Sequence, residues 1–86
     1  MSIEIKHRVK DELGIHARPA GELVKQLSAA SSDVILECNH KEGNAKSIMS
    51  IMSLAVKQGD VVTFKINGAD EEEIANQLKS FLQENF

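Results

Sequence analysis

Val61-Val62-Thr63-Phe64-Lys65-Ile66-Asn67-Gly68-Ala69-Asp70-Glu71-Glu72-Glu73-Ile74-Ala75-Asn76-Gln77-Leu78 changes its hydrophobic period halfway along, and that change decides the fold. Val62, Phe64 and Ile66 alternate with Thr63, Lys65 and Asn67, the period of a strand with one face in a core. Asn67-Gly68 ends it. Asp70 with Glu73 three residues on has the form of an N-cap paired with an N3 acid, and Ile74, Leu78, Phe81 and Leu82 follow at helical spacing. The stretch predicts a strand, a tight turn and an amphipathic helix.

Working back from it, Gln58-Gly59-Asp60 is a turn, and Ser47 opens the apolar segment Ile48-Met49-Ser50-Ile51-Met52-Ser53-Leu54. A helix of about two turns fits this segment, with Ile48, Ile51 and Met52 on one face and Met49 left over. Val34, Leu36 and Cys38 alternate with polar neighbours, and the polar run Asn39-His40-Lys41-Glu42 predicts a tight hairpin into a short third strand. Leu23, Val24 and Leu27 continue a helical stripe that begins at Ala20. Ile3, Ile5, His7 and Val9 alternate with Glu4, Lys6 and Arg8 in a first strand. The predicted order is β-α-β-β-α-β-α in a single domain, residues 1–86. Strands with one apolar face each call for an α+β fold in which a four-stranded antiparallel sheet is covered on one face by three helices.

Bulk properties narrow the function. A chain of 86 residues buries about 60–65% of its unfolded surface, which leaves room for one core and a shallow site. A self-sufficient enzyme with a deep pocket is disfavoured. The net charge of −3, with charges interspersed, offers no basic patch for a nucleic acid backbone. The single cysteine, Cys38, has no disulfide partner, and the start Met1-Ser2-Ile3-Glu4 lacks the features of a secretory signal, so the chain reads as cytoplasmic. No apolar run is long enough to span a membrane.

The chemistry points to Gly14-Ile15-His16-Ala17-Arg18-Pro19-Ala20. Gly14 permits a sharp turn before a helix whose first turn contains Ala17, Arg18 and Pro19. Proline is tolerated there because first-turn amides have no intrahelical acceptor. The unpaired amides of Ala17 and Arg18 and the helix dipole make an anion site, and the Arg18 guanidinium adds a planar fork of donors suited to phosphate oxygens. The positive helix end favours neutral imidazole, leaving a ring nitrogen of His16 free to act as a nucleophile. Spacing alone leaves open that His16 merely caps the helix and Arg18 is a solvated side chain.

Gly14 to Ala20 resembles the active-site signature of HPr, the histidine-containing phosphocarrier of the bacterial phosphoenolpyruvate-dependent sugar phosphotransferase system. Asn44-Ala45-Lys46-Ser47-Ile48-Met49 with Met52-Ser53-Leu54 resembles the regulatory serine segment of that family, and Gly68 to Glu73 its last helix start. The resemblance covers nearly the whole chain and implies an open-faced β-sandwich. It implies that His16 carries the phosphoryl group on Nδ1, with Enzyme I as donor and sugar-specific IIA domains as acceptors. Arg18 would then orient the phosphate, and neither metal nor organic cofactor is used. It further implies phosphorylation of Ser47 by HPr kinase/phosphorylase, as in the Gram-positive type, and contact of the Ile48, Met49 and Met52 positions with Enzyme I, IIA domains and a catabolite-control transcription factor. A monomer is expected.

Ser47 also has a purely structural reading as an N-cap, and the two roles are compatible. The three apolar residues around it exceed what a two-turn helix can bury, so part of the group is expected at the surface beside His16. Asn39-His40 stands where many relatives have Asn-Gly, which predicts a left-handed conformation at His40 or a longer turn. Leu13, Gly21 and Ser50 also depart from common choices in the family. His7, Cys38 and His40 lack metal-ligand spacing. Two other functions are weighed: a regulatory effector that does not relay, against which His16 itself speaks, and a carrier of a nitrogen branch, against which the Ser47 segment speaks.

Overall fold

The computed structural model describes the backbone of residues 2–10 and 17–86 and the side chains of 2–10 and 20–86. The elements are β1 (Ser2–Arg8), α1 (Ala17–Leu27), β2 (Asp33–Cys38), β3 (Lys41–Asn44), α2 (Ile48–Ser53), β4 (Val61–Asn67) and α3 (Glu71–Asn85). The strands form one antiparallel sheet in the order β1-β4-β2-β3. This is the expected order of elements and the expected open sheet.

Burial follows the alternation read from the sequence. Ile5 and Val9, then Val34, Leu36 and Cys38, and then Val62, Phe64 and Ile66 face the helices and meet Leu23, Leu27, Ile51, Ile74, Leu78 and Leu82 in one core. Glu37, Glu42 and Lys65 stand on the opposite face, where the Lys65 ammonium lies 3.3 Å from each carboxylate. Hydrogen bonds to Glu42 and Glu37 push its pKa up.

The hairpin between β2 and β3 is tighter than the four polar residues suggested. Cys38 pairs with Lys41, leaving only Asn39 and His40 in the loop. Both have positive φ, 53° and 67°, as a type I′ turn requires. The right-handed twist of the strands selects this turn even without a glycine, and His40 adopts the left-handed conformation anticipated for it.

Asp60 ties this hairpin to the turn before β4. Its Oδ2 accepts from the Lys57 amide at 2.9 Å, from Asn39 Nδ2 at 3.4 Å and from the Cys38 thiol at 3.9 Å. Burial, with the Asp60 charge second, raises the pKa of Cys38, so the residue is an inert core thiol.

The start of α3 departs from the predicted capping arrangement. Asp70 occupies the N-cap position but makes no capping bond with its side chain. Its carboxylate instead accepts from the amides of Ser31 and Ser32, both at 2.9 Å, and from the Ser32 hydroxyl. Glu71, not Glu73, reaches back to the preceding turn, accepting from the Gly68 amide at 3.2 Å. An acid at a helix start satisfies whichever donors the tertiary fold brings to it, and here the loop after α1 arrives first.

Candidate functional site

The site is framed by two helices. α1 begins at Ala17 and carries Arg18 in its first turn, which contains no acidic residue. α3, by contrast, opens with Glu71, Glu72 and Glu73. Both helices present a positive dipole end, but only that of α1 is left without acidic residues to neutralise it. An open depression of about 500 Å³ is lined by Gly68 to Glu73, and its four carboxylates repel a phosphate.

His16 directly precedes α1 and lies outside the described residues, as does Leu13. Ala17 and Arg18 are placed by their backbone in the first turn of α1.

α2 lies against α1 and β3. One glycine lets it approach. A Cβ on Gly43 would stand 3.1 Å from the Ser50 carbonyl oxygen and 3.2 Å from Ser50 Cβ, so β3 and α2 pack with nothing larger between them. A Cβ on Gly21 would stand 4.0 Å from Ile48 Cδ1, which puts the start of α2 beside the second turn of α1. Gly21 and Ser50 thus lie where α2 meets α1 and β3.

Ser47 is the N-cap of α2, with extended backbone (φ −122°, ψ 119°), and its Oγ accepts from the Ser50 amide at 3.3 Å. The structural role read for it is therefore present. Lys46 is held beside it: its Nζ donates to the Ala30 carbonyl at 2.9 Å and its amide to Asn44 Oδ1 at 2.9 Å.

The face of α2 that packs inward differs from the predicted one. Ile51 and Leu54 are buried and Ser47 and Ser50 half-buried, a stripe at i, i+3, i+4 and i+7. Ile48 is 43% exposed, Met49 83% and Met52 39%. Ile48, Ile51 and Met52 stand at i, i+3 and i+4 as read, but only Ile51 is buried: the close approach of Gly43 demands a small side chain at position 50, which turns Ser47 and Ser50 inward beside Ile51 and leaves Ile48 and Met52 at the margin of the face. All three residues singled out for docking are at the surface, on the helix that flanks α1.

One feature of this helix carries no sign in the sequence. Ala55, just past its C-cap Leu54, has φ of 51°, the left-handed conformation in which helices usually end on glycine. His7, Cys38 and His40 belong to no common metal cluster: among the described residues no three His, Cys, Asp or Glu side chains come together. His7 faces inward on β1 with its Nε2 buried and without a hydrogen-bond partner among the described residues.

Comparison with known proteins agrees with this arrangement. A family model described as "PTS HPr component phosphorylation site" matches residues 3–84. The phosphocarrier protein HPr of Mycoplasma genitalium is 44% identical over 78 residues, covering 90% of this chain and 89% of its own. A solved histidine-containing phosphocarrier protein from Mycoplasma superposes with a TM-score of 0.89 at 35% identity, over 92% of this chain and 90% of the other. Crh of Bacillus subtilis, described as a dimer with a swapped domain, superposes with a TM-score of 0.76 at 44% identity, over 91% and 90% of the two chains.

Proposed function

The chain belongs to the HPr family of phosphocarrier proteins of the phosphotransferase system, and from that premise we propose that His16 takes the phosphoryl group from phospho-Enzyme I and passes it to sugar-specific IIA domains. The chain is a carrier, not an enzyme. The observation that carries the proposal is the placement of α1: its acid-free first turn, with Arg18 in it, starts one residue after His16 and is flanked by the exposed Ile48, Met49 and Met52.

In the forward step the bond from phosphorus to the donor's leaving atom breaks as an N–P bond to the His16 ring forms. The Ala17 and Arg18 amides and the Arg18 guanidinium hold the phosphate oxygens. Imidazole is both nucleophile and leaving group, so the same site releases the phosphoryl group to the next partner. The apolar residues of α2 supply a soft, adaptable docking surface for donor and acceptors.

Ser47 is the regulatory position in this reading, phosphorylated by HPr kinase/phosphorylase and then recognised by a catabolite-control transcription factor. Its support is the exposed apolar rim around a serine whose added phosphate would sit at a helix N-terminus, where the dipole tolerates it. The relay places the protein in the cytoplasm with its partners, and no helix among the described residues is long and apolar enough to cross a membrane.

Incubation with phosphoenolpyruvate and Enzyme I should give an acid-labile adduct on His16, lost in His16→Ala and transferable to a IIA domain. An acid-stable adduct confined to Ser47 would overturn the relay and leave the regulatory role alone.

A further inference from the structure

We propose that Met49 is a site of oxidation, at which a peroxide converts the thioether to a sulfoxide and thereby loosens the docking of partner proteins on α2 while leaving the fold intact. The inference rests on the reading of α2 as the docking surface. Of the three sulfur-bearing side chains among the described residues, Cys38, Met49 and Met52, only Met49 stands largely in solvent, 83% exposed against 39% for Met52, with Cys38 buried in the core.

Access decides which sulfur reacts. Cys38 is enclosed beside Asp60, and burial together with that charge keeps its thiol protonated. Met52, one turn on from Met49, is more than half covered. Two side chains close enough along the chain to fold over Met49 are held elsewhere. Ser53, four residues on, donates its hydroxyl to the Ser50 carbonyl at 2.7 Å, and the Lys46 ammonium, three residues before, donates to the Ala30 carbonyl at 2.9 Å.

The reagent is a small peroxide, hydrogen peroxide being the simplest. A lone pair on Met49 Sδ attacks one peroxide oxygen, and the O–O bond breaks as the S–O bond forms. The second oxygen leaves as hydroxide, takes the proton from the new S–OH and becomes water. Sulfur gives up two electrons and the peroxide is reduced. A thiol-dependent sulfoxide reductase reverses the change, with one enzyme for each epimer.

The product carries a polar S–O group where the apolar docking surface had a thioether. In the free chain that group is hydrated and the core is untouched. Against a docked partner it is stripped of water beside Ile48 and Met52, and a buried acceptor left without a donor weakens binding. The loss falls on binding, so KM rises and kcat does not. A sulfoxide has no net charge, so its effect, unlike that of a phosphate on Ser47, is insensitive to salt.

Treatment of the purified chain with hydrogen peroxide, followed by peptide mass spectrometry, should show one added oxygen on Met49 before Met52 or Cys38 gains any. The oxidised chain should show a KM for phospho-Enzyme I about tenfold higher, with kcat at saturating donor unchanged and the same ratio at low and high salt. Sulfoxide reductase with a thiol should return KM to its untreated value. Met49→Gln, polar and of similar length, should raise KM without peroxide, and in Met49→Leu peroxide should leave KM where it stood before treatment. Circular dichroism should report the native fold throughout. The proposal fails if Met52 or Cys38 is oxidised first, or if the Met49 sulfoxide leaves KM unchanged. It also fails if peroxide raises KM in Met49→Leu as much as in the parent, or if the oxidised chain loses its fold. An untreated chain that takes no phosphoryl group from Enzyme I would overturn the carrier reading, and with it the effect on docking, whereas the order of oxidation read by mass would still decide the site.

Discussion

The Asp70 carboxylate accepts the Ser32 amide at 2.9 Å from 38 positions away in sequence, and the Ser31 amide and Ser32 hydroxyl join it. One side chain thereby fixes the loop leaving α1 against the start of α3. These bonds, the Ser32 hydroxyl first, hold the Asp70 carboxyl below the usual carboxylate range. A carboxyl with a lowered folded-state pKa adds stability above its unfolded pKa and loses it as pH falls through the folded value. Stability measured by urea unfolding should therefore decline below about pH 4, and Asp70→Asn should flatten that acid limb while lowering stability at neutral pH. An unchanged acid limb would show that the carboxylate is not the group responsible.

Gly68 sits against the same loop. A Cβ there would fall 2.5 Å from Ser32 Cα and 2.6 Å from Ser32 Oγ, and backbone atoms cannot move aside cheaply. Gly68→Ala is expected to cost about 1–3 kcal/mol, seen as a lower urea midpoint with little change in slope.

Ala55 and His40 hold left-handed backbone that glycine adopts without steric cost. Ala55→Gly should stabilise by about 1 kcal/mol, raising Tm by roughly 4–8 °C in a domain of this size. His40→Gly acts in the same direction at the type I′ turn. A lower Tm in Ala55→Gly would mean that the added freedom of the unfolded chain outweighs the relief of strain.

The two faces of α2 should separate stability from transfer. Ile51 is 1% exposed, and Ile51→Ala should cost about 2–5 kcal/mol. Met49, largely in solvent, should tolerate Met49→Ala with a change of under about 0.5 kcal/mol, yet the variant should slow phosphotransfer by raising KM for the protein donor. Equal loss of stability in both variants would contradict the orientation of the helix.

Ser47→Asp places a negative charge on the rim of that surface and should slow phosphorylation of His16 by Enzyme I, measured as initial rate. Ser47→Ala removes the cap bond and about 1 kcal/mol of stability, but should leave that rate near the parent value. A parental rate in the Asp variant would remove the regulatory coupling.

The order of elements, the sheet and most of its core were readable from residue pattern alone, because Ile5, Val34, Leu36, Val62, Phe64 and Ile66 occupy one side of each strand, and alternation is a local property. The Gly14 to Ala20 signature was equally local. Three features were decided by tertiary structure. Asp70 reads as a helix cap until the loop at Ser31 and Ser32 is folded against it. Ala55 reads as an ordinary residue until the end of α2 and the start of the next turn force its φ positive. The face α2 presents to the core could not be read from a segment that is apolar on nearly every side; the approach of Gly43 to Ser50 sets it, and so leaves Ile48, Met49 and Met52 outside. Periodicity assigns an element and its faces when polar and apolar residues segregate; choosing a partner for a carboxylate, or one face of a nearly uniform helix, depends on atoms distant in sequence.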